Sequence, residues 1–483
     1  MHLLIPVFFN APQGGLHENV RATAVFLLGL KHQVTVVCRS GPFAEQLRGQ
    51  GIGVIETDYD IFSFASALAE IQALHQSQPI DLVHAHPFAA RELGMIASQV
   101  LGLPCVVTMH GKYPDALPQA IGQLDAVFTV SEGIRQYLLT EGEVTHPEKL
   151  HVVPNTPDAR LFKAVKVAPP AEAKGRVVVS LVTRLDRDKT FALDVFYQAM
   201  AHAAQYYPGH IHWQVVGTGR EKEAFAERVE TLRGENSVSY TGWLQGEALR
   251  DAYCRSDAVI APGRCALEAL SCGVPAIALG SKSYNGLVDS ENWQQAMFTN
   301  FGGVGERHDS YAEGAVERDL DRLMISRGQR RRLGSFGRQV VRQCFNNRDM
   351  QQRQLGFYRL VVAAHRADPR PKVDESEFLE LRLRELKLKQ PSPDRLHIAL
   401  RCEPGKELQF AWYLQRYGKL IEKLVYSPEP SREIMLPGPG RYRVRCFVKD
   451  GQGRKIAFLS PEVEGPAAPA ETMCAADSQT LDA

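Results

Sequence analysis

The chain has no CxxC pair, and its nine cysteines are scattered and odd in number. This excludes a paired-cysteine zinc site and argues against a disulfide framework; it fits a reducing compartment. Nowhere does the sequence approach the roughly 18–20 uninterrupted apolar residues that cross a bilayer, so a lipid substrate would be met from the surface. Neither charge dominates: 56 Lys+Arg stand against 55 Asp+Glu, a net charge of +1. Bulk attraction to nucleic acid or to an acidic substrate is thereby excluded. A basic leader is also missing. The opening MHLLIPVFFNAP is apolar but short and runs into Gly14-Gly15, so it reads as a first buried strand. The expectation is a cytoplasmic protein with at most a peripheral contact at the inner face of a membrane.

What is present is ordinary globular composition, 44% hydrophobic and 23% charged, over 483 residues. That length calls for two or three domains. Short apolar runs at residues 3–8, 33–38, 81–85, 105–109, 126–130 and 150–153 alternate with helical patterns. This is the signature of a parallel, doubly wound sheet. A Pro/Ala-rich stretch, residues 156–174, reads as a linker, and then the pattern restarts. Strands are expected at 177–182, 212–216, 237–241, 258–261 and 276–279, with closing helices at 316–325, 329–345 and 350–364. After a second linker, residues 367–374, the composition changes. Residues 377–390 alternate leucine with charge, period two, in strong helix formers, so strand and helix both stay open. Short alternating runs between 395 and 459 imply an all-β sandwich. The expected domains are 1–160 and 175–365, both Rossmann-like α/β and facing across a cleft, then a sandwich at 376–465. The Ala/Pro/Ser/Thr-rich tail 466–483 reads as disordered.

Ligands of such sheets bind at the C-terminal ends of the strands, and four loops there carry polar residues. The stretch IAPGRCALEALSCGVPAIAL, residues 260–279, reads strand, Gly turn, helix, strand. The turn at Gly263-Arg264 aims helix N-terminal amides at one spot, suited to an anion or a polyhydroxyl ligand. Glu268 can accept two hydroxyl hydrogen bonds there; the competing reading is a solvated first-turn Glu. Arg184 and Lys189 flank a strand-to-helix handover, which makes a diphosphate site without a metal, although charge runs are more often merely solvated. Asp186 and Asp188 form a DxD pattern, but the flanking cations would compete with a metal ion. Gly14-Gly15 and Gly217-Thr218-Gly219 let backbone approach a ligand, or are simply tight turns. His84, His86 and His110 end strands of the first domain; none has metal-ligand spacing, and His110, in MHGKYP, faces a cleft loop.

Taken together, PQGGLHENVRATAVFLLGLKHQVTVV, DLVHAH, VVTMHG, HVVPNTPDARLF, VTRLDRDK, VVGTGRE, YTGWLQGEALRDAYCRSDAVIAPG and ALEALSCGVPAIA resemble retaining glycosyltransferases of the GT-B fold, the family 4 (group 1) type. The resemblance covers about residues 1–365 and rests on the order and spacing of motifs that are each weak. It implies transfer of a sugar from a UDP- or GDP-sugar to a saccharide or lipid-linked acceptor, in cell-surface polysaccharide or glycolipid synthesis, with no cofactor and no metal. By that analogy Arg184 and Lys189 hold the diphosphate and, with His110, serve the chemical step. Glu268 takes the ribose, Gly242, Trp243 and Leu244 border the base, and Gly14, Gly15, Gly217, Gly263 and Arg264 complete the donor site. His86, Lys112 and Tyr113 lie on the acceptor side. The chain departs from the family where Ile260 stands eight residues before Glu268, a position that usually carries a second Glu. Arg264 is expected to take over the contacts of that carboxylate. The alternatives are a catalytically silent nucleotide-sugar-binding protein and, ranked last, a nucleotide-sugar epimerase. The C-terminal module resembles immunoglobulin- or fibronectin-like domains through FAWYLQRYGKLIEKL and GRYRVRCFVKDGQGRKIAF, which fixes neither a protein nor a glycan partner for it.

Overall fold

The computed structural model of the chain describes residues 1–9, 14–280, 283–302, 311–403 and 407–467. The end of the tail, from residue 468 on, lies outside the described residues.

The first sheet contains β1 (His2–Pro6), β2 (Gln33–Cys38), β3 (Gly53–Glu56), β4 (Leu82–Ala85), β5 (Cys105–Met109), β6 (Ala126–Thr129) and β7 (Leu150–Val152). Their order is β3-β2-β1-β4-β5-β6-β7, and β1 pairs in parallel with both β2 and β4. Strands β1, β4, β5 and β6 are buried along their whole length. Unbroken apolar runs are what a parallel sheet covered on both faces requires. The order reverses between β1 and β4, so the loops after these two strands border the crevice where ligands of such sheets sit.

The second sheet repeats the plan with β8 (Val177–Val182), β9 (Ile211–Val216), β10 (Ser237–Gly242), β11 (Ala258–Pro262), β12 (Ala276–Leu279) and β13 (Tyr284–Leu287). The order is β10-β9-β8-β11-β12-β13. Its reversal lies between β8 and β11, the strands that deliver Arg184 and the Gly263 turn. The edge strand β13, antiparallel to β12, has no counterpart in the sequence reading. It is four residues long and contains Asn-Gly, a turn signal.

Two segments pack differently from their sequence reading. The linker 156–174 is docked: Phe162 is buried in the core around β11 and β12. The helix Asn347–Ala367, read as closing the second domain, buries Leu355, Tyr358 and Val362 in the cluster of Leu3, Ile5 and Val36, under the first sheet. Its apolar face is legible in sequence, but which sheet it covers is not.

The remaining unit begins at Pro371. Residues 375–377 and 380–382 form short 3-10 turns, and the ambiguous leucine-charge stretch becomes β14 (Leu383–Ser392). It pairs with β15 (Arg395–Cys402), followed in chain order by β16 (Leu408–Arg416), β17 (Lys419–Ser427), β18 (Ser431–Met435), β19 (Arg441–Asp450), β20 (Lys455–Leu459) and β21 (Val463–Glu464). The sheets are β14-β15-β18 and β17-β16-β19-β20, with β21 added on β19. Leu396, Ile398, Phe410, Trp412, Val444 and Cys446 fill the space between them. Cys402 and Cys446 are free thiols. Residues Glu56–Ser77, from between β3 and β4, belong to this same compact unit. Ile61 and Phe62 pack against the sandwich core, Phe62 meets Phe458 edge-on at 5.4 Å, and Gln72 donates to Glu375. Nothing in the local pattern of 56–77 announces that this segment is claimed by residues more than 300 positions later.

Candidate functional site

The site of the second domain is built on a weld between two loops. After β9, Gly217 has φ +145°, and a Cβ placed there would sit 1.9 Å from the Thr183 carbonyl oxygen. A Cβ on Gly219 would sit 2.1 Å from the Leu185 carbonyl oxygen. Only glycine permits this approach. It lets Leu185 N–H donate to Thr218 O at 3.0 Å and Glu221 N–H to Leu185 O at 2.9 Å. The Gly217-Thr218-Gly219 turn, weak as a sequence signal, thus fixes the backbone on either side of Arg184. At the end of β10, Gly242 has φ +73° and its carbonyl accepts from Gly217 N–H at 2.8 Å; Trp243 beside it is 41% exposed, and Leu244 is partly buried against the core.

The Arg184 guanidinium donates to Asp186 at 2.6 Å and to Asp188 at 2.8 Å, and Lys189 pairs with Asp188 at 3.2 Å. Burial pushes the Asp188 carboxyl up, but the charges of Lys189 and Arg184 outweigh it and hold it below the usual value. The structure therefore brings both cations together at the N-terminus of the helix Thr190–Tyr206, with the DxD carboxylates bound to them. Arg184 also stacks 5.6 Å from the centre of the Phe9 ring. Phe9 in turn meets His17 at 5.9 Å. His17 was not singled out from sequence. It is 8% exposed, its Nδ1 has no hydrogen-bond partner among the described residues, and burial, then the Arg184 charge, lower its pKa to about 4. The only sequence signal is its place two residues after Gly15, at the start of the helix Gly15–Gly29. Gly14, the residue before that helix, is extended at φ 175°.

After β11, Gly263 adopts φ +48° and opens the helix Gly263–Ser271. Its N–H, one of the amides expected to face a ligand, donates instead to Phe301 O at 2.7 Å. Arg264 Nε donates to Glu268 Oε1 at 2.8 Å, and the Tyr253 hydroxyl donates to Glu268 Oε2 at 3.1 Å. Glu268 is only 3% exposed, so it is neither a solvated first-turn residue nor an open carboxylate. Burial raises its pKa against the pull of Arg264. Arg264 Nη2 lies 3.7 Å from Glu18 on the first-domain helix and has no hydrogen-bond partner among the described residues. A cavity of about 20 Å³, room for a water molecule, lies beside it, lined by Asn19, Thr108, Thr156, Arg264, Gln351 and Gln354.

On the first-domain side the three histidines form one chain. His86 Nδ1 and His110 Nε2 are 2.9 Å apart with stacked rings. His84 lies 4.9 Å from His86, ring to ring, and bonds Thr108 Oγ1 and the Tyr358 hydroxyl, both at 2.7 Å. Burial lowers the pKa of His84 to about 3 and of His110 to about 4, and holds His86 well below its ordinary value. All three are neutral near pH 7. His86 is 1% exposed and its Nε2 has no hydrogen-bond partner among the described residues. Tyr113, half-buried, stacks its ring 4.9 Å from Phe88, and burial raises its hydroxyl pKa; Lys112 beside it is also half-buried. Among the described residues no group of three His, Cys, Asp or Glu could hold a metal ion, and no helix is long and apolar enough to cross a membrane.

Residues 13–160 match the Glycosyltransferase Family 4 model and residues 176–299 the Glycosyl transferases group 1 model. A D-inositol 3-phosphate glycosyltransferase of Segniliparus rotundus is 24% identical over 269 residues, 50% of this chain and 58% of that protein. A second D-inositol 3-phosphate glycosyltransferase, of Acidothermus cellulolyticus, is 24% identical over 263 residues, 46% of this chain and 57% of that protein. The chain thus spans less than two thirds of the length of these relatives. A glycosyltransferase from Rickettsia africae superposes with a TM-score of 0.59 at 18% identity, over 75% of this chain and 98% of that one. Anabaena HepE in complex with UDP and glucose gives 0.57 at 18% identity, over 74% and 99%. The two α/β domains have the GT-B architecture of these structures.

Proposed function

We propose that the chain is a glycosyltransferase that moves a sugar, with retention, from a UDP- or GDP-sugar to a saccharide or lipid-linked acceptor. The observation that carries this is the convergence of Arg184 and Lys189 at a helix N-terminus beside the switch point of the second sheet. A departing nucleoside diphosphate gains negative charge in the transition state, and two fixed cations stabilise it there. In the free chain Asp186 and Asp188 hold those cations in place. The incoming diphosphate replaces the carboxylates as their partner, and the step needs no metal. Arg264, one of whose nitrogens lacks a hydrogen-bond partner among the described residues, reaches toward the donor from its buried pair with Glu268. The neutral His86–His110 pair lies on the acceptor side and offers a hydrogen bond without carrying charge. A surface-bound acceptor would bring the chain to the inner face of a membrane in the synthesis of a surface polysaccharide or glycolipid.

A second reading, a nucleotide-sugar-binding protein without turnover, is favoured by Ile260 and by the prior engagement of Glu268 with Arg264 and Tyr253. Calorimetry with UDP and GDP, and release of nucleoside diphosphate from a panel of nucleotide-sugars, separate the two. The double variant R184A/K189A should bind the diphosphate about a hundredfold less tightly, because each charge-assisted bond contributes about 1.5–3 kcal/mol. Unchanged affinity in a folded double variant refutes the diphosphate assignment. Binding without release under any acceptor favours the second reading. Turnover lost to a chelator and restored by manganese refutes the metal-free step.

A further inference from the structure

The sheet β17-β16-β19-β20 has one face in the sandwich core and one turned away from it. The sequence of β19, RYRVRCFVKD, alternates accordingly: Tyr442, Val444, Cys446 and Val448 are buried, while Arg441, Arg443 and Arg445 are exposed. On the outer face the register sets Lys423 and Arg445 on either side of Tyr413, and Ala411 and Ala457 on either side of Phe447. The Tyr413 and Phe447 rings are inclined at 56° to one another. Tyr413 and Phe447 are 4.7 Å apart, ring to ring. Lys423 lies 5.6 Å over the Tyr413 ring, Arg445 5.6 Å over Phe447, and Lys455 5.9 Å over Tyr426. Three rings and three cations therefore share one rigid surface.

The charge of this surface is one-sided. Glu462 pairs with Arg441 at 3.4 Å and with Arg443 at 3.6 Å. Among the described residues no carboxylate pairs with Lys423, Arg445 or Lys455, whose ring contacts are the only partners they have. A face of this kind fits a ligand that is flat, apolar on its broad side and negative at its rim. The C–H faces of pyranose rings stack on aromatic rings, whose faces are electronegative, and carboxylate or phosphate groups on the sugar meet the cations. From β17 to β20 the face spans three inter-strand spacings, about 14 Å, long enough for more than one linked sugar. An anionic bilayer fits less well, because the exposed apolar side chains Leu420, Ile421 and Val425 are confined to the edge strand β17, away from Arg445 and Lys455 on β19 and β20. A second copy fits less well still, since like-charged faces repel.

We propose that the outer face of this sheet is a binding site for an anionic glycan, with Tyr413, Tyr426 and Phe447 stacking on sugar rings and Lys423, Arg445 and Lys455 pairing with their charged groups. The test uses the full chain and a hexamer of galacturonate, with maltohexaose as the neutral probe and phosphatidylglycerol/phosphatidylcholine vesicles as the membrane probe. The parent should bind hexagalacturonate, more weakly as salt rises, and bind maltohexaose far less. K423Q/R445Q/K455Q should lose about tenfold or more in affinity, as three exposed charge pairs would. K387Q/K389Q/R401Q, which removes the same charge from the other sheet, should bind like the parent. Y413A, checked for an unchanged melting temperature, should weaken binding without altering its salt dependence. The proposal is overturned if the parent ignores hexagalacturonate, if the two triple variants lose affinity equally, or if only the vesicles bind and K423Q/R445Q/K455Q releases them.

Discussion

Lowering the pH from about 7.5 to about 5.5 should destabilise the first α/β domain specifically, by linkage through its buried histidines. His84 and His17 have folded-state pKa values of about 3 and about 4, against an ordinary value of 6.5, and are 1% and 8% exposed. Because both values are depressed, the folded chain stays unprotonated while the unfolded chain takes up protons as the pH passes 6.5. The stability they support is complete above that point and is lost progressively as the pH falls toward 4 and 3. One unit below the unfolded value each group costs about 1.4 kcal/mol, so the pair costs about 3 kcal/mol. That is a large share of the roughly 5–15 kcal/mol that holds a domain folded. His110, half-buried and also lowered, adds to the same sense. Arg184 faces His17, and the neutral Thr108 and Tyr358 face His84, so among the described residues no carboxylate at hydrogen-bond distance opposes the effect. The lowered carboxyls of Asp188 and Asp289 titrate below 3.8, outside the window. Glu268, with its raised pKa, acts in the opposite sense, but in the second domain. Hydrogen exchange on peptides from β4 and β5 across a urea series reads the first domain by itself. With a slope near 2 kcal/mol per molar urea, the midpoint should fall by about 1.5 M. An equal or higher midpoint at the lower pH would refute the reasoning.

Two further outcomes follow from the packing. E268Q should lower the melting temperature, because it leaves the buried Arg264 with a weaker partner at 2.8 Å; under the proposed function it should also weaken nucleoside diphosphate binding by roughly ten- to a hundredfold. Differential scanning fluorimetry and calorimetry check both, and a parent-like protein in each would mean that the pair is inert. Removing residues 371–483 should not leave a clean two-domain protein, since it strips Ile61 and Phe62 of the core they pack against; the truncated chain should bind a hydrophobic dye where the parent does not, and a dye-silent, soluble product would contradict this.

The periodic parts of the fold were legible. Apolar strands alternating with helices gave both Rossmann-like sheets, because a strand buried on two faces has to be apolar throughout. The residues after β8 and β11 could be located for the same reason. Less legible was what those residues do to each other. Nothing in VTRLDRDK says that Asp186 and Asp188 turn inward onto Arg184 and Lys189 rather than outward to solvent. Glu268 reads as a first-turn carboxylate, and only the packing of Tyr253 and Arg264 around it makes it a buried acceptor. His17 escaped notice because a single histidine on a helix carries no pattern. The destinations of 56–77 and of the last helix were hidden because they depend on which surface, far along the chain, remains uncovered.

The attachment of residues 56–77 to the sandwich also has a consequence in time. Phe62 leaves the ribosome 396 residues before Phe458, its ring partner. At a synthesis rate near 10 residues per second, that is a wait of about 40 s. Throughout it the first sheet can assemble from β1 onward, but the segment between β3 and β4 presents Ile61 and Phe62 to water with nothing to cover them. The nascent chain therefore carries an exposed apolar segment for most of its synthesis, and the stretch between β3 and β4 is covered only once the last strands have been made.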